Sequence, residues 1–423
     1  MTGTLASSSP IAALLIAAMA SLPAPSHGQT GTPTPTEGHA ERLRSLELRQ
    51  EADRKLIEQL RESVEQMSDG LSRSTTHTGV PIHGFADVGA AWSSRQDPSR
   101  LRGFSAGTLD LYLTPQFGDR LKSLIEIALY YHTDGSGEIE AERMQLGYSF
   151  DDSLTLWGGR FHTPFGLWNT AYHHGANLQT SIYRPRFIEF EDKDGVLPTH
   201  SVGVWGSGKT GLGAGKLNYD IYLTNGPTVR RGTLDYNASS DDNSSKLLGF
   251  NVSWRPAATL QGATFGVHGF GSTVDALLAT GVRHSRTRVR MLGGHLGYDA
   301  HNWEALAEYY RFANSDVATR TRNTSQAGYV QLGRSFAMLT PYVRHERAAL
   351  NNADNFFATQ RVGVSYSRTS IGARHDIDVK AALKVELSAT RETAASLIDA
   401  NGAAVAVGTA RYRRLAVEYS VAF

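Results

Sequence analysis

The sequence predicts an all-β chain: a transmembrane antiparallel β-barrel of about 16 strands, preceded by a short coiled-coil helix. Three observations predict it. From Val80 onward the hydrophobic pattern has a period of two, and the polar parity often carries charge. Several of these runs reach the ~9–11 residues that a tilted strand needs to cross a bilayer. The connections between runs alternate between short and long, as in barrels with tight turns at one rim and loops at the other.

Composition agrees. The 423 residues include no Cys and 42 Gly, and mean hydropathy is −0.31. That is too polar for a bundle of membrane helices, whereas a barrel shows lipid only its alternate residues. The missing Cys fits an exported chain without disulfides and removes thiol catalysis and Cys-ligated metals. A net charge of +1 gives no support for nucleic-acid binding.

Residues 1–28 read as a signal peptide. The apolar run 11–20 (IAALLIAAMA) is too short to span a bilayer as a helix, and Ala18-Met19-Ala20 offers a cleavage site, with Ser26-His27-Gly28 as a second. The first ten residues lack the usual Lys or Arg. Residues 29–39 form a Thr/Pro linker, extended and disordered. Over 40–72, Leu43, Leu46, Gln50, Asp53, Ile57, Leu60, Val64, Met67 and Leu71 step alternately by three and four, the seam of a coiled coil. With no other long apolar segment, an exported barrel belongs in the bacterial outer membrane.

Residues 79–423 form the barrel. Leu109, Leu111 and Leu113 alternate with Asp110 and Tyr112; Leu121, Ile125, Ile127 and Leu129 alternate with Lys122 and Glu126. Leu217, Tyr219, Ile221 and Leu223 alternate with Lys216, Asn218 and Asp220; Leu383, Val385 and Leu387 alternate with Lys384 and Glu386. Trp92, Tyr112, Tyr148, Trp254, Trp303 and Tyr419 suit interfacial girdles. Short connections fall at Gly118-Asp119, Asp151-Asp152 and 299–302, and long ones at 93–104, 163–199, 225–245 and 391–407. Residues 359–376 read as one strand or two, leaving about 14 or 18 strands as alternatives. A barrel of about 16 strands is too wide for wall side chains to fill, so the interior is expected to hold water.

The longest connection, 163–199, needs a reason. It is dense in aromatics and charges, which could fold into the lumen or form an external flap. The constriction is expected to draw on Arg160, Arg184, Arg186, Glu189, Glu191, Lys193, Arg143, Arg361 and Glu126. Arg160 opposes Trp157 and Phe161 in parity, Arg143 opposes Met144 and Leu146, and Arg361 opposes Val362 and Val364. An arginine track suits carboxylate or phosphate through its planar fork. The alternative is that these arginines pair with the nearby carboxylates and brace the loop.

Two further patterns carry less. His162, His173 and His174 lack a third ligand at fixed spacing, so neither metal nor cofactor is expected. Residues 203–210 (GVWGSGKT) match the phosphate-loop spacing, but a Gly-rich stretch follows where that motif needs a helix, so they read as a turn between strands. Ser and Thr residues have no His partner at a recognisable spacing, and no catalytic residue is expected.

Residues 159–166 (GRFHTPFG) resemble the strand-end pattern of the phosphate-selective porin O/P family. A coiled coil ahead of a barrel also resembles porins for small organic acids such as dicarboxylates. The resemblance implies a trimeric, passive diffusion channel of about 16 strands, its third external loop folded inward. It implies outer-membrane lipid, lipopolysaccharide and small solutes, anions above all, as partners. The ending Leu415, Val417, Tyr419, Val421, Phe423 resembles the signal read by barrel-insertion machinery. The competing expectations are a structural barrel that tethers the envelope through its coiled coil, and an outer-membrane hydrolase.

Overall fold

The computed structural model describes residues 81–423, apart from 96–102, 116–117, 132–134, 173–175, 192, 194, 239 and 258–259. The expected signal peptide, linker and coiled coil lie outside the described residues, as do His173 and His174.

Sixteen antiparallel strands form a closed ring. They are β1 (Ile82–Ser93), β2 (Thr108–Leu113), β3 (Leu121–Tyr131), β4 (Gly137–Asp151), β5 (Leu154–His162) and β6 (His200–Gly211). Next come β7 (Gly215–Asn225), β8 (Lys246–Pro256), β9 (Ala263–Leu277), β10 (Arg283–Ala300) and β11 (Trp303–Asp316). The last are β12 (Arg322–Arg334), β13 (Leu339–Ala349), β14 (Tyr366–Asp378), β15 (Ala381–Glu392) and β16 (Ala410–Ala422). Each strand pairs with its sequence neighbours, and β16 closes the ring on β1 from Phe85↔Ala422 to Ser93↔Arg414. Closure leaves no sheet edge, the condition a β-structure must meet in hydrocarbon. The final residue joins the seam: Gly84 N–H donates to Phe423 O at 3.1 Å, and Phe423 N–H returns to Gly84 O at 3.0 Å.

The alternation sorts as hydrocarbon outside and polar inside demands. On β15, Leu383, Val385 and Leu387 are exposed outward while Lys384, Glu386 and Ser388 are buried inward. On β16, Leu415 and Tyr419 are exposed while Ala416, Glu418 and Ser420 are buried. An exposed apolar outer face on a closed barrel is a lipid-facing surface. Tight turns at 152–153, 212–214, 301–302 and 379–380 mark the periplasmic rim; residues 163–199, 226–245, 350–365 and 393–409 are loops at the external rim.

Three expectations change. The 359–376 region is a loop and a single strand: a short helix, α2 (Asn355–Ala358), starts where Asp354 accepts from Phe356 N–H at 3.0 Å, and β14 follows. The phosphate-loop match lies inside β6, not in a turn; Gly203 and Gly208 sit where a side chain would strike the neighbouring chain, a Cβ at Gly203 lying 2.3 Å from Leu223 O. Tyr112 leaves the girdle. It pairs with Glu126 on the inward face, and the Arg143 guanidinium lies 5.5 Å from its ring.

Candidate functional site

The 163–199 loop folds into the barrel, and the GRFHTPFG stretch launches it. Gly159 has φ +128°, and a Cβ there would sit 2.0 Å from Met144 O. Pairing of β5 with β4 stops one residue later, at Met144↔Arg160, while pairing with β6 runs on to His162↔His200. The top of β5 thus parts from β4. Thr163 N–H donates to Thr199 O at 2.8 Å, and Asn169 Nδ2 donates to Thr163 O and Thr199 O at 2.9 and 3.1 Å, tying both ends of the loop together. Gly166, at φ +66°, leaves room for Glu308, whose carboxylate a Cβ would meet at 2.1 Å. Phe165 is fully buried, with Phe270 and Tyr310 rings 6.3 Å away.

Charges on the inner wall then hold the loop by its backbone. Glu308 on β11 accepts from Leu167 and Trp168 N–H at 3.1 and 2.7 Å and from Tyr310 and Tyr329 hydroxyls at 2.7 Å each. The first helix, α1 (Trp168–Ala171), begins at that carboxylate. Further along, Lys384 donates to Ala176 O, and Arg374 to Asn177 O and Gln179 O. Glu386 accepts from Ile182 and Tyr183 N–H at 3.3 and 3.4 Å, and Arg344 donates to Tyr183 O at 2.8 Å. Glu346 accepts from Arg186 N–H at 2.7 Å, and Arg368 donates to Arg184 O at 2.8 Å. Irregular backbone is tolerable at membrane depth only where such donors and acceptors satisfy it.

This arrangement follows the inward of the two courses expected for 163–199 and narrows the interior. Phe165, Trp168, Phe187 and Ile188 of the loop join Phe270, Tyr310 and Phe312 of the wall in one buried apolar cluster. Phe356 and Phe357 of the 350–365 loop pack into it as well. The loop brings its own core, so part of the lumen is filled with protein.

Each expected site residue has a definite place. Arg184 is buried, donating to Asn169 Oδ1 at 3.1 Å with its guanidinium 3.9 Å from the Phe190 ring centre. Arg186 donates to Glu392 at 2.6 Å. Glu189 accepts from the adjacent Phe190 N–H at 3.3 Å. Glu191 is buried and accepts from Thr199 Oγ1 and from His200 N–H. Burial pushes its carboxyl up, but the His200 ring and these donors outweigh burial and hold it below the usual carboxylate range. Lys193 is exposed, its ammonium 5.0 Å from the ring centres of Tyr130 and Phe190. Arg143 pairs with buried Glu126, and His162 Nε2 lies 3.3 Å from the same carboxylate.

Two expectations are overturned. Arg160 does not face open water opposite a lipid-facing Trp157 and Phe161. Those two rings turn inward against Trp205, and Arg160 lies 3.6 and 3.5 Å from Glu140 and Glu142 and 4.7 Å from the Tyr236 ring centre. Parity misled here because β5 leaves its partner at Gly159. Arg361 is not on a strand. It lies in the 350–365 loop, where its N–H donates to Gly232 O at 3.0 Å and its guanidinium to Thr233 Oγ1 at 2.7 Å, joining two external loops. Among the described residues, no group of three or more His, Asp or Glu side chains is placed to hold a metal.

The sequence reading did not single out the wall residues that grip the loop: Glu308, Arg344, Glu346, Arg368, Arg374, Lys384, Glu386 and Glu392. Their signal was the charged inward parity of β11, β13, β14 and β15.

No protein-family model matches the chain, and no curated protein sequence does. Solved structures do. An anion-selective porin from Comamonas acidovorans superposes with a TM-score of 0.53 at 12% identity, over 82% of this chain and 99% of that one. The fold is that of bacterial outer-membrane porins. OmpT of Vibrio cholerae, in a trimer form, gives 0.53 at 11%, over 82% and 99%. The outer-membrane channel DcaP of Acinetobacter baumannii gives 0.50 at 11%, over 81% and 97%.

Proposed function

We propose that this chain is an outer-membrane porin: a passive channel for small hydrophilic solutes, narrowed by the loop 163–199. The observation that carries the reading is the loop itself, seated inside a closed, lipid-facing barrel and bound to charged inner-wall residues along its length. A tether needs no such internal loop. The shared fold with an anion-selective porin and an outer-membrane channel supports the same reading.

A trimer is part of the proposal, supported by the trimeric form recorded for OmpT. So is a preference for anions, but the supporting residues change. Glu392 neutralises Arg186, and Glu346 neutralises Arg368. Lys193, exposed over Tyr130, is a cation placed to tune the path. We also assign the seam residues Leu415 to Phe423 the role of an insertion signal.

Liposome swelling with sugars of graded size tests the proposal. Folded protein should admit small sugars and exclude large ones. Liposomes that admit no sugar of any size would end the reading. Removing residues 41–71 should leave permeation intact if that segment serves assembly, and would abolish function only under the tethering alternative.

A further inference from the structure

The inner wall of β4–β7 carries two adjoining rows of different chemistry. Leu146, Leu156, Val204 and Ile221 are exposed outward, so their sequence neighbours Gly147, Trp157, Trp205 and Tyr222 face the lumen. Those four pair directly across the strands, Gly147↔Trp157, Trp157↔Trp205 and Trp205↔Tyr222. The Trp157 and Trp205 rings are stacked, their centroids 5.6 Å apart and their planes 19° from parallel. Gly147 lets Trp157 lie down on the wall, because a Cβ there would meet the indole at 2.4 Å. One face of the ring is pressed on the wall and the other is turned to the lumen. Tyr222 is buried in the apolar cluster that the loop brings, and Trp205 lies at the margin of that cluster. A ring stack that served packing alone would be closed off as Tyr222 is, yet Trp157 and Trp205 are only half-buried. One row nearer the periplasm, Ser149, Thr155, Ser207 and Asp220 pair in the same way, and all are half-buried. They pin the rings: Trp157 Nε1–H donates to Ser207 Oγ at 3.1 Å, and Trp205 Nε1–H donates to Asp220 Oδ1 at 2.9 Å. Both rows lie between the tight turn at 152–153 and the root of the inward loop.

We propose that this double row is a carbohydrate subsite, on which a pyranose ring stacks its C–H face over Trp157 and Trp205 and turns its hydroxyls to Thr155, Ser207 and Asp220. A rigid aromatic face with polar groups along one edge suits a ligand that is apolar on its face and hydroxylated around its rim. A sugar ring has that construction. Its hydroxyls can donate to the Asp220 carboxylate, whereas a carboxylate or phosphate solute would meet it as a like charge. An alkyl chain would cover the hydroxyl row and leave it without partners. The indole N–H groups are already committed to the wall, so the rings need little ordering when a ligand arrives.

The proposal rests on the channel reading and names a class of solute for it. The folded full chain is titrated with maltotriose, and with a polyethylene glycol of similar mass as the control. Ion current is recorded in planar bilayers, and binding heat is measured on the same preparation in a detergent without a sugar headgroup. Wild type should show saturable interruptions of current by the sugar and a matching heat, and the glycol should give neither. Trp157→Ala should weaken binding roughly tenfold, and Trp157→Phe should recover most of it. Trp92→Ala, which removes an exposed ring of β1, should bind like wild type. If Trp157→Ala fails to fold, Ser207→Ala and Asp220→Asn should each weaken binding about fivefold. Equal binding by Trp157→Ala and wild type, or equal interruption by sugar and glycol, would overturn the subsite. A conducting wild type that gives no sugar heat would overturn it too and leave the channel standing. Sugar binding without conductance would sink the channel reading and leave the subsite.

Discussion

The Trp168 amide donates to Glu308 Oε1 at 2.7 Å, joining the inward loop to the inner face of β11. The same carboxylate takes the Leu167 amide and two tyrosine hydroxyls. Glu308→Ala therefore strands several buried donors, at about 1–3 kcal/mol for each one left unmet. The loop should loosen while the barrel, held by its own ladders, survives. Protease cutting within 163–199 should quicken and single-channel conductance should rise. A variant with wild-type cutting and conductance would mean that this contact does not hold the loop.

Lys193 and Arg186 should behave differently although both were expected at the constriction. Arg186 is committed to Glu392 and lies over Tyr366, so Arg186→Gln should speed protease cutting of the loop and shift ion selectivity little. Lys193 is exposed, so Lys193→Glu should move the reversal potential under a salt gradient toward cations with little change in loop order. Reversal of this pattern would return selectivity to the buried arginines.

Gly159→Ala tests how the loop is launched. The residue has φ +128°, and a Cβ would meet Met144 O at 2.0 Å. Backbone strain of this kind costs about 1–3 kcal/mol, and the clash adds to it. Folding yield into lipid should fall well below that of Gly158→Ala, where a Cβ has nothing within 4 Å. Equal yields would show that the turn has another source.

Acidification should release the loop near its C-terminal root. The Glu191 carboxyl is held below its ordinary value, so its bonds to Thr199 and His200 stabilise the fold above the unfolded pKa, about 4.3. That contribution is lost as pH falls through the lower, folded value. Amide exchange around 190–200 should quicken below about pH 4 in the wild type. Glu191→Gln should exchange faster at neutral pH and respond less to acid. An exchange profile flat in pH would contradict the assignment.

The barrel was legible because a strand's side chains alternate strictly and a closed wall has only two faces. Leu383, Val385 and Leu387 against Lys384 and Glu386 declare those faces without any partner in view. Counting those runs gave about 16 strands, and the dense 163–199 stretch marked the site. Its geometry was not legible. The loop's partners lie 140 positions away at Glu308 and 206 at Glu392, and nothing local pairs a strand carboxylate with a distant amide. Arg160 was misread because parity arguments assume that a strand stays with its neighbour, and β5 leaves β4 at a left-handed glycine. Arg361 was misread because the two valines that follow it, Val362 and Val364, imitate a strand over too few residues to tell.

Single-channel recording across planar bilayers tests the central claim most directly. Folded wild-type protein should insert with discrete conductance steps, and replacing 163–199 by a short turn should enlarge each step while the barrel stays closed. Folded protein that inserts without any step, with or without the loop, would contradict the account.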